Sequence, residues 1–220
     1  MNRLCTAEGQ RLLGQLAAAR LLLAFDFDGT LAPIVADRGE AKMRAATAAL
    51  LRRVCDLYPC AVISGRSRKD VSTRLDGCSF RWVIGNHGLE PGSNMKRFER
   101  EIRDARASLA ESLVAQGIDV EDKRYSLAIH YRRSRTKRGA RNAIADAVAR
   151  LPVPMRVVPG KLVVNLVPAR APNKGDALLT LRARAKLDTA IYLGDDVTDE
   201  DVFALDQPGR LTTVRIGHSK

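Results

Sequence analysis

The chain has 220 residues, of which 45% are apolar and 28% are charged. This composition excludes a disordered chain and predicts one core, or one core with a smaller second lobe. The formal net charge is +12, but the basic residues are spread along the whole sequence. The densest basic run, 131–138, has one aromatic residue at its edge and no stacking platform, so we expect no nucleic-acid partner.

The cysteines and the first apolar run indicate where the protein works. The four cysteines contain no C-x-x-C pair, which is typical of reduced thiols in a cytosolic protein. The apolar run 21–25 is stopped by Asp26, and no small-residue cleavage site follows it. We therefore expect neither a secretory signal nor a membrane span, and we predict a cytoplasmic protein with no membrane partner.

Short buried strands alternate with helices in the first ninety residues. This alternation predicts a parallel sheet flanked by helices, which is an α/β fold of the Rossmann type. The second helix has apolar residues at helical spacing, and Pro59 ends it; these residues are Met43, Leu50, Leu51, Val54 and Leu57. The predicted strands are 21–25, 60–63 and 81–84, and the predicted helices are 9–20, 40–58 and 68–75.

The pattern changes after Pro91-Gly92 and returns at Asn173. The segment between them predicts an inserted α/β lobe with an antiparallel sheet, in which Pro159-Gly160 forms a tight turn. We expect a discontinuous core at 1–90 and 168–220, with an inserted cap at 91–167. Inside the cap we predict helices at 98–116 and 135–151 and extended segments at 119–121, 125–131, 155–158 and 162–167. Beyond it we predict helices at 174–185 and 199–205 and strands at 190–193 and 211–216.

Two carboxylates, Asp26 and Asp28, directly follow the first predicted strand. Residues two apart in an extended chain point roughly the same way, and open α/β sheets place their active sites at the carboxyl ends of strands. Two unpaired carboxylates there are costly unless a cation or a substrate uses them. Gly29 allows the chain to turn sharply beside a ligand. The alternative interpretation is a solvent-exposed acidic turn.

A second acidic cluster follows the predicted strand 190–193. Its sequence is Gly-Asp-Asp-Val-Thr-Asp-Glu-Asp, and it includes Asp195, Asp196 and Asp199. Capping of the next helix would explain one of these side chains but does not require five carboxylates. Two acidic clusters at the ends of two parallel strands predict an oxygen-rich pocket that suits Mg²⁺.

Ser64 and Lys174 supply donors that a phosphate site would need. Ser64 follows the strand 60–63 and precedes a helix start, where backbone amides favour anions. Lys174 lies at the start of another predicted helix. Alone, Ser-Gly-Arg and Asn-Lys-Gly are weak motifs, and their value lies in their order relative to the two acidic clusters.

The order Asp-x-Asp-Gly-Thr, Ser64, Lys174 and Gly-Asp-Asp-x-x-Asp resembles the four motifs of the haloacid dehalogenase superfamily. The resemblance implies a phosphatase in which Asp26 attacks phosphorus and forms an aspartyl-phosphate. It implies that Asp28 protonates the leaving oxygen and then activates water, while Ser64 and Lys174 hold the phosphoryl oxygens. It also implies Mg²⁺ bound by Asp26, the Asp28 carbonyl and Asp195, helped by Asp196 or Asp199.

Further residues are similar to those of trehalose-6-phosphate phosphatases. The matching segments are 28–34, 64–66, 86–90, Glu121-x-Lys123-x-x-Ser126 and His130-Tyr131-Arg132. The resemblance implies a cap that reads sugar hydroxyls and a sugar-phosphate substrate, trehalose 6-phosphate. The implied substrate-binding residues are Arg66, His87, Glu121, Lys123, Arg132 and Asn165. The family usually has Glu at the position of Asn165 and continues beyond the last predicted strand, whereas this chain stops at Lys220.

Three alternatives remain open at this point. Another glycosyl or sugar phosphate could be the substrate, because Asn165 carries no charge. A phospho-receiver domain also carries acidic residues at strand ends, but it lacks both the second Asp with Gly-Thr and a cap insertion. A basic nucleic-acid-binding protein would leave the acidic clusters unexplained. We expect a monomeric enzyme.

Overall fold

The computed structural model describes residues 6–35, 37–113, 117–160, 162–205, 207 and 209–217. Within these residues the chain forms two sheets, each with its own helices and its own apolar interior. One sheet is parallel and the other is antiparallel, as the change of pattern along the sequence predicts.

The parallel sheet has five strands, in the order β3-β2-β1-β8-β9, and it forms the core. Side chains of β1 alternate between two apolar clusters, so that Leu22 and Ala24 face α6 and α7 while Phe25 faces α2. Burial on both faces explains why β1 is a continuous apolar run. The elements are α1 (Ala7–Ala17), β1 (Leu21–Phe25), α2 (Ala45–Leu57), β2 (Cys60–Ile63), α3 (Arg68–Ser72), β3 (Trp82–Ile84), α6 (Lys174–Arg184), β8 (Thr189–Gly194), α7 (Glu200–Phe203) and β9 (Leu211–Arg215).

The antiparallel sheet has four strands, in the order β4-β5-β7-β6, and with two helices it forms the cap. Ile102 and Leu109 from one helix, and Ile144 from the other, are buried against the sheet. Basic residues such as Arg100 and Arg138 are exposed on the outer surfaces of these helices. The elements are α4 (Met95–Leu113), β4 (Asp119–Asp122), β5 (Leu127–His130), α5 (Lys137–Ala149), β6 (Met155–Gly160) and β7 (Val163–Pro168).

The strand order places a crevice between β1 and β8. The chain proceeds outward from β1 through β2 to β3, forms the cap, and returns to the other side of β1 as β8. Ligands of open α/β sheets bind where the strand order reverses in this way, at the carboxyl ends of the strands. The two acidic clusters follow the two strands at this reversal.

Two predictions about local structure are wrong. The second helix begins at Ala45 rather than at residue 40, and Leu50 and Leu57 are 61% and 75% exposed because only the face with Ala48 and Leu51 packs on the sheet. Pro159-Gly160 lies inside β6 instead of forming a turn. A proline is tolerated there because β6 is an edge strand, where no neighbour needs its missing N–H.

Other boundaries differ by a few residues. The predicted helix 68–75 ends at Ser72, and the predicted helix 199–205 is a 3₁₀ turn, Val197–Asp199, followed by the single turn of α7. Residues 114–116 of the predicted helix 98–116 lie outside the described residues, as does Cys5. Cys55, Cys60 and Cys78 have free thiols. No described helix combines the length and the apolar character needed to cross a bilayer.

Replacement of Leu22 by Ala tests the central position of β1. Leu22 is fully buried, so we expect Leu22→Ala to lower the free energy of unfolding by about 2–5 kcal/mol. Leu57→Ala is the matched control, because its side chain is exposed, and it should cost less than about 0.5 kcal/mol. Urea unfolding followed by circular dichroism measures both values, and equal losses would contradict the packing described here.

Candidate active site

The carboxyl ends of β1 and β8 open into a cleft of about 580 Å³ between the core and the cap. Most of the residues singled out from the sequence line this cleft. Ser64 and Asp199 do not, because both are fully buried beneath its surface. The predicted residues that line the cleft are Asp26, Asp28, Arg66, His87, Glu121, Lys123, Arg132, Asn165, Lys174, Asp195 and Asp196.

Lys174 joins the two acidic clusters at the base of the cleft. Its Nζ donates to Asp26 Oδ1 at 2.8 Å, to Asp199 Oδ1 at 2.7 Å and to Thr198 Oγ1 at 3.3 Å, so all three protons have acceptors. Burial alone would lower the pKa of Lys174, but Asp26, Tyr192 and Asp199 raise it well above its ordinary value. Lys174 is therefore a permanent buried cation.

Asp199 positions the second cluster from below. Its Oδ1 accepts from Tyr192 Oη at 2.6 Å as well as from Lys174, and its Oδ2 accepts from the backbone amides of Asp195 and Asp196 at 3.0 and 3.1 Å. Burial opposes ionisation, but Lys174 and these donors together lower the pKa of Asp199. Asp199 is thus an ionised anchor that shapes the loop after β8.

Three carboxylates form a group that fits a divalent cation. One oxygen from each of Asp26, Asp195 and Asp199 lies within 4.8 Å of the others. Burial raises the pKa of Asp26 to about 7, and burial with the charges of Asp199 and Asp196 raises that of Asp195 to about 6. A divalent cation bound here would offset the repulsion among these carboxylates and favour their ionised forms. Asp196 is outside the group, and its side chain accepts from Val197 N at 2.7 Å.

The two loops approach closely because residue 29 is a glycine. Gly29 has φ +92°, and a Cβ at this position would lie 1.9 Å from Asp195 Oδ2. The neighbouring Thr30 Oγ1 donates to Asp195 Oδ1 at 3.3 Å. Any side chain at position 29 would therefore displace Asp195 from the acidic group.

Asp28 is held by Arg66 rather than by the acidic group. Arg66 Nε and Nη2 donate to the two oxygens of Asp28, each at 2.7 Å, while Nη1 donates to Asp70 at 2.7 Å. The guanidinium also lies over the ring of Phe27 at 5.6 Å from its centre. This two-point pair fixes the direction in which the Asp28 carboxylate points into the cleft.

His87 lines the cleft, and Ser64 lies beneath the cleft surface. Ser64 Oγ accepts from Arg66 N at 3.1 Å, and its carbonyl accepts from His87 N at 3.0 Å. His87 is buried, and its backbone adopts a left-handed conformation with φ 59°. Its ring packs against Gly65, where a Cβ atom would lie 2.6 Å from the ring. Neither ring nitrogen has a hydrogen-bond partner among the described residues.

The environment of His87 keeps its ring neutral. Burial, and then the charges of Lys123, Lys174 and Arg156, lower its pKa well below the ordinary value, and the nearby Asn165 side chain, which is not in hydrogen-bond geometry with the ring, opposes this only in part. A buried and unpartnered neutral ring beside a cleft is suited to exchange hydrogen bonds with a ligand hydroxyl, because such a group is costly to leave unpaired.

The cap contributes the opposite wall. Lys123 Nζ donates to the Gly65 carbonyl at 3.1 Å, which connects the cap directly to the core. Glu121 pairs with Arg38 of the core, and Asn165 on β7 is buried, its Nδ2 lying 3.4 Å from the Val158 carbonyl. Arg132 lines the cleft from an exposed position.

Comparison with known proteins identifies the family. Residues 24–216 match the family model described as Trehalose-phosphatase. The chain belongs to the trehalose-phosphatase family. It is 35% identical over 203 residues to the trehalose-phosphate phosphatase of Mycobacterium avium, strain 104, and 36% identical over 203 residues to that of Mycolicibacterium paratuberculosis, strain ATCC BAA-968 / K-10.

These matches cover 86% of this chain and 52% of each relative, so the chain spans about half the length of the curated relatives it matches. The fold also resembles that of the C-terminal domain of the C. albicans trehalose-6-phosphate phosphatase, with a TM-score of 0.66. That match covers 89% of this chain and 76% of the other, at 22% identity, and it supports the fold alone.

The sequence did not predict a role at the site for three residues of this trehalose-phosphatase family member. Tyr192 reads as a core residue of β8, and only its contact with Asp199 shows its polar role. Thr198 lies inside the acidic motif, but the sequence does not predict that its hydroxyl accepts from Lys174. Arg38 lies between the predicted strand 21–25 and the predicted helix 40–58, and no pattern along the sequence connects it with the cap.

Metal binding should depend on pH because the pKa values of Asp26 and Asp195 are raised, to about 7 and 6. Below these values both carboxyls hold protons that a cation must displace. We expect Mg²⁺ to bind more weakly at about pH 6 than at about pH 8 and to release protons at the lower pH. Calorimetry in buffers of different ionisation enthalpy measures this release, and Asp195→Asn should reduce it. Equal affinities without proton release would contradict the assignment.

Proposed function

We propose that the chain hydrolyses trehalose 6-phosphate to trehalose and phosphate through an aspartyl-phosphate on Asp26. The observation that carries the proposal is the position of Asp26, which is buried at the switch point, lies 2.8 Å from Lys174 and lines a cleft closed by a cap. The matches to trehalose-phosphate phosphatases from two species support the choice of substrate.

In this proposal Asp26 attacks phosphorus, and the bond between phosphorus and the sugar oxygen breaks. Lys174 balances the charge of Asp26 and of the incoming phosphoryl group, which would otherwise repel each other. The Ser64 hydroxyl lies beneath the cleft surface and accepts from Arg66 N in this structure, so it would turn toward the phosphoryl oxygens when substrate enters and hold them with the neighbouring amides. Water then attacks phosphorus, which frees Asp26 and releases phosphate.

The residues suited to hold Mg²⁺ are Asp26, the carbonyl of Asp28 and Asp195. Asp199 helps by holding the amides of the Asp195 loop, and Asp196 caps the 3₁₀ turn that follows. When bound, Mg²⁺ would polarise the phosphoryl group and offset its charge. The close grouping of carboxylate oxygens from Asp26, Asp195 and Asp199, within 4.8 Å of one another, supports a cation at this position.

Asp28 would act as the acid and then as the base. It would donate a proton to the leaving sugar oxygen and later accept one from the attacking water. Both of its oxygens are occupied by Arg66 in this structure, so part of this pair must open when substrate enters. The substrate phosphate is a natural replacement partner for Arg66, because guanidinium groups bind phosphate as well as carboxylate.

The cap would select the sugar. We propose that residues 91–167 form the cap and that residues 1–90 and 168–220 form the core, which is supported by their separate apolar clusters. Glu121, Lys123 and Asn165 would bind sugar hydroxyls from the cap side. The other site residues, Arg66, His87 and Arg132, would face the substrate between the two units. Because Asn165 is uncharged, a related glycosyl phosphate is the alternative substrate.

A substrate panel tests both the reaction and the nucleophile. Among phosphorylated sugars, we expect the wild type to release phosphate fastest from trehalose 6-phosphate. Asp26→Asn should abolish release, because Asn cannot attack phosphorus as an anion. Asp76→Asn is the matched control, since Asp76 is exposed and its carboxylate pairs with Arg52 at the surface. Faster release from another sugar phosphate would favour the alternative substrate, and activity in Asp26→Asn would exclude the assigned nucleophile.

Glu121→Ala tests whether the cap reads the sugar. We expect a loss of about ten-fold or more in kcat/KM on trehalose 6-phosphate, because the sugar hydroxyls lose a partly buried partner. Hydrolysis of a small aryl phosphate should stay nearly unchanged, because that substrate does not reach the cap. Glu99→Ala, which removes a half-exposed cap carboxylate paired with Arg124, is the control and should change neither activity. An unchanged ratio of the two activities in Glu121→Ala would contradict sugar recognition by the cap.

A further inference from the structure

Arg38 crosses the cleft from the core to the cap. It begins a 3₁₀ turn, Arg38–Glu40, in which the Gly39 amide donates to Asp37 Oδ1 at 2.8 Å. Its Nη1 pairs with Glu121 Oε2 and lies 2.9 Å from His130 Nε2. Both partners belong to cap strands, whereas Arg38 follows β1, so the contact joins the two units at the cleft.

The polar contacts of the Glu121 carboxylate in the cleft involve one of its two oxygens, Oε2. Arg38 and His130 both meet its Oε2, and His130 Nε2 lies 3.2 Å from that oxygen. Oε1 has no such contact among the residues that the structure describes. A carboxylate that is held by one oxygen presents the other in a fixed direction, and a free carboxylate oxygen is an acceptor for a hydroxyl. Arg38 therefore orients the group that faces the cleft.

The backbone of Arg38 is hydrogen-bonded to Arg66, the residue that holds Asp28. Its carbonyl accepts from Arg66 Nη2 at 2.9 Å, and the same Nη2 donates to Asp28 Oδ1. Arg74 Nη1 donates to the carbonyls of Gly39 and Ala41 at 2.8 and 2.9 Å, which fixes the turn from behind. The Arg38 side chain thus projects from a turn whose backbone is held by hydrogen bonds from two arginine side chains.

We infer that Arg38 is a positioning residue that determines specificity, by holding Glu121 of the cap so that Oε1 accepts a sugar hydroxyl of the substrate. This inference rests on the proposed function of the same cleft. Arg38 itself touches no reacting atom, and its effect passes through Glu121. The half-exposed pair is worth little as a stabilising ion pair, so the gain lies in the preorganised direction of Glu121.

The predicted effect is a change of specificity. Arg38→Gln should lower kcat/KM on trehalose 6-phosphate roughly three- to ten-fold, mainly by raising KM, because a partly exposed charged contact is lost. Hydrolysis of an aryl phosphate should stay within about two-fold of the wild type. Arg38→Lys keeps the charge and should recover part of the loss. Lys42→Gln is the matched control, since Lys42 is exposed and has no hydrogen bond or ion pair among the described residues.

A double-mutant cycle decides whether Arg38 acts through Glu121. Kinetics are measured for Arg38→Gln, Glu121→Gln and the double variant on both substrates. If Arg38 works by orienting Glu121, the double variant should be no worse than Glu121→Gln alone. Independent, multiplying losses would overturn the inference, and so would a loss in Arg38→Gln that is equal on both substrates.

Hydrogen exchange separates this inference from the proposed function. Arg38→Gln should speed amide exchange at 37–41 and at 119–123, whereas Lys42→Gln should not, and this readout needs no substrate. If the wild type prefers another sugar phosphate, the proposed substrate is wrong and the cycle is run on the preferred one. Unchanged exchange together with unchanged specificity in Arg38→Gln would overturn the role of Arg38 alone.

Discussion

The buried ion triad of Lys174 with Asp26 and Asp199 is the interaction on which the rest of the site depends. One cation from α6 connects the carboxyl ends of β1 and β8. A buried charge is stable only with partners, so loss of any member would leave an uncompensated charge inside the protein. The triad therefore sets the distance between the two acidic loops, and Gly29 allows that distance to be short.

The fold explains why this site needs a second structural unit. A crevice at the end of an open sheet is accessible to water, and charge stabilisation is stronger where water is excluded. The cap covers the crevice and adds polar groups that the core lacks. Lys123 meets the Gly65 carbonyl, and Ser126 Oγ donates to buried Asn86 at 2.6 Å, so the two units are joined by specific hydrogen bonds beside the cleft.

The sequence predicted those parts of the molecule that depend on local pattern. β1 and β2 are short apolar runs, and they were recognisable because both faces of the parallel sheet are covered. Asp26 and Asp195 were recognisable because each follows such a run. Arg38, Tyr192 and Pro159 were not, because their roles depend on partners distant along the chain or on the position of a strand at a sheet edge.

The central claim is that Asp26 carries the phosphoryl group during turnover. The most direct test is to quench the protein with acid during turnover of trehalose 6-phosphate with Mg²⁺ and to map the phosphorylated peptide by mass spectrometry. The account predicts one phosphoryl group on Asp26, which disappears in Asp26→Asn. Turnover with the phosphoryl group on a different residue would contradict it.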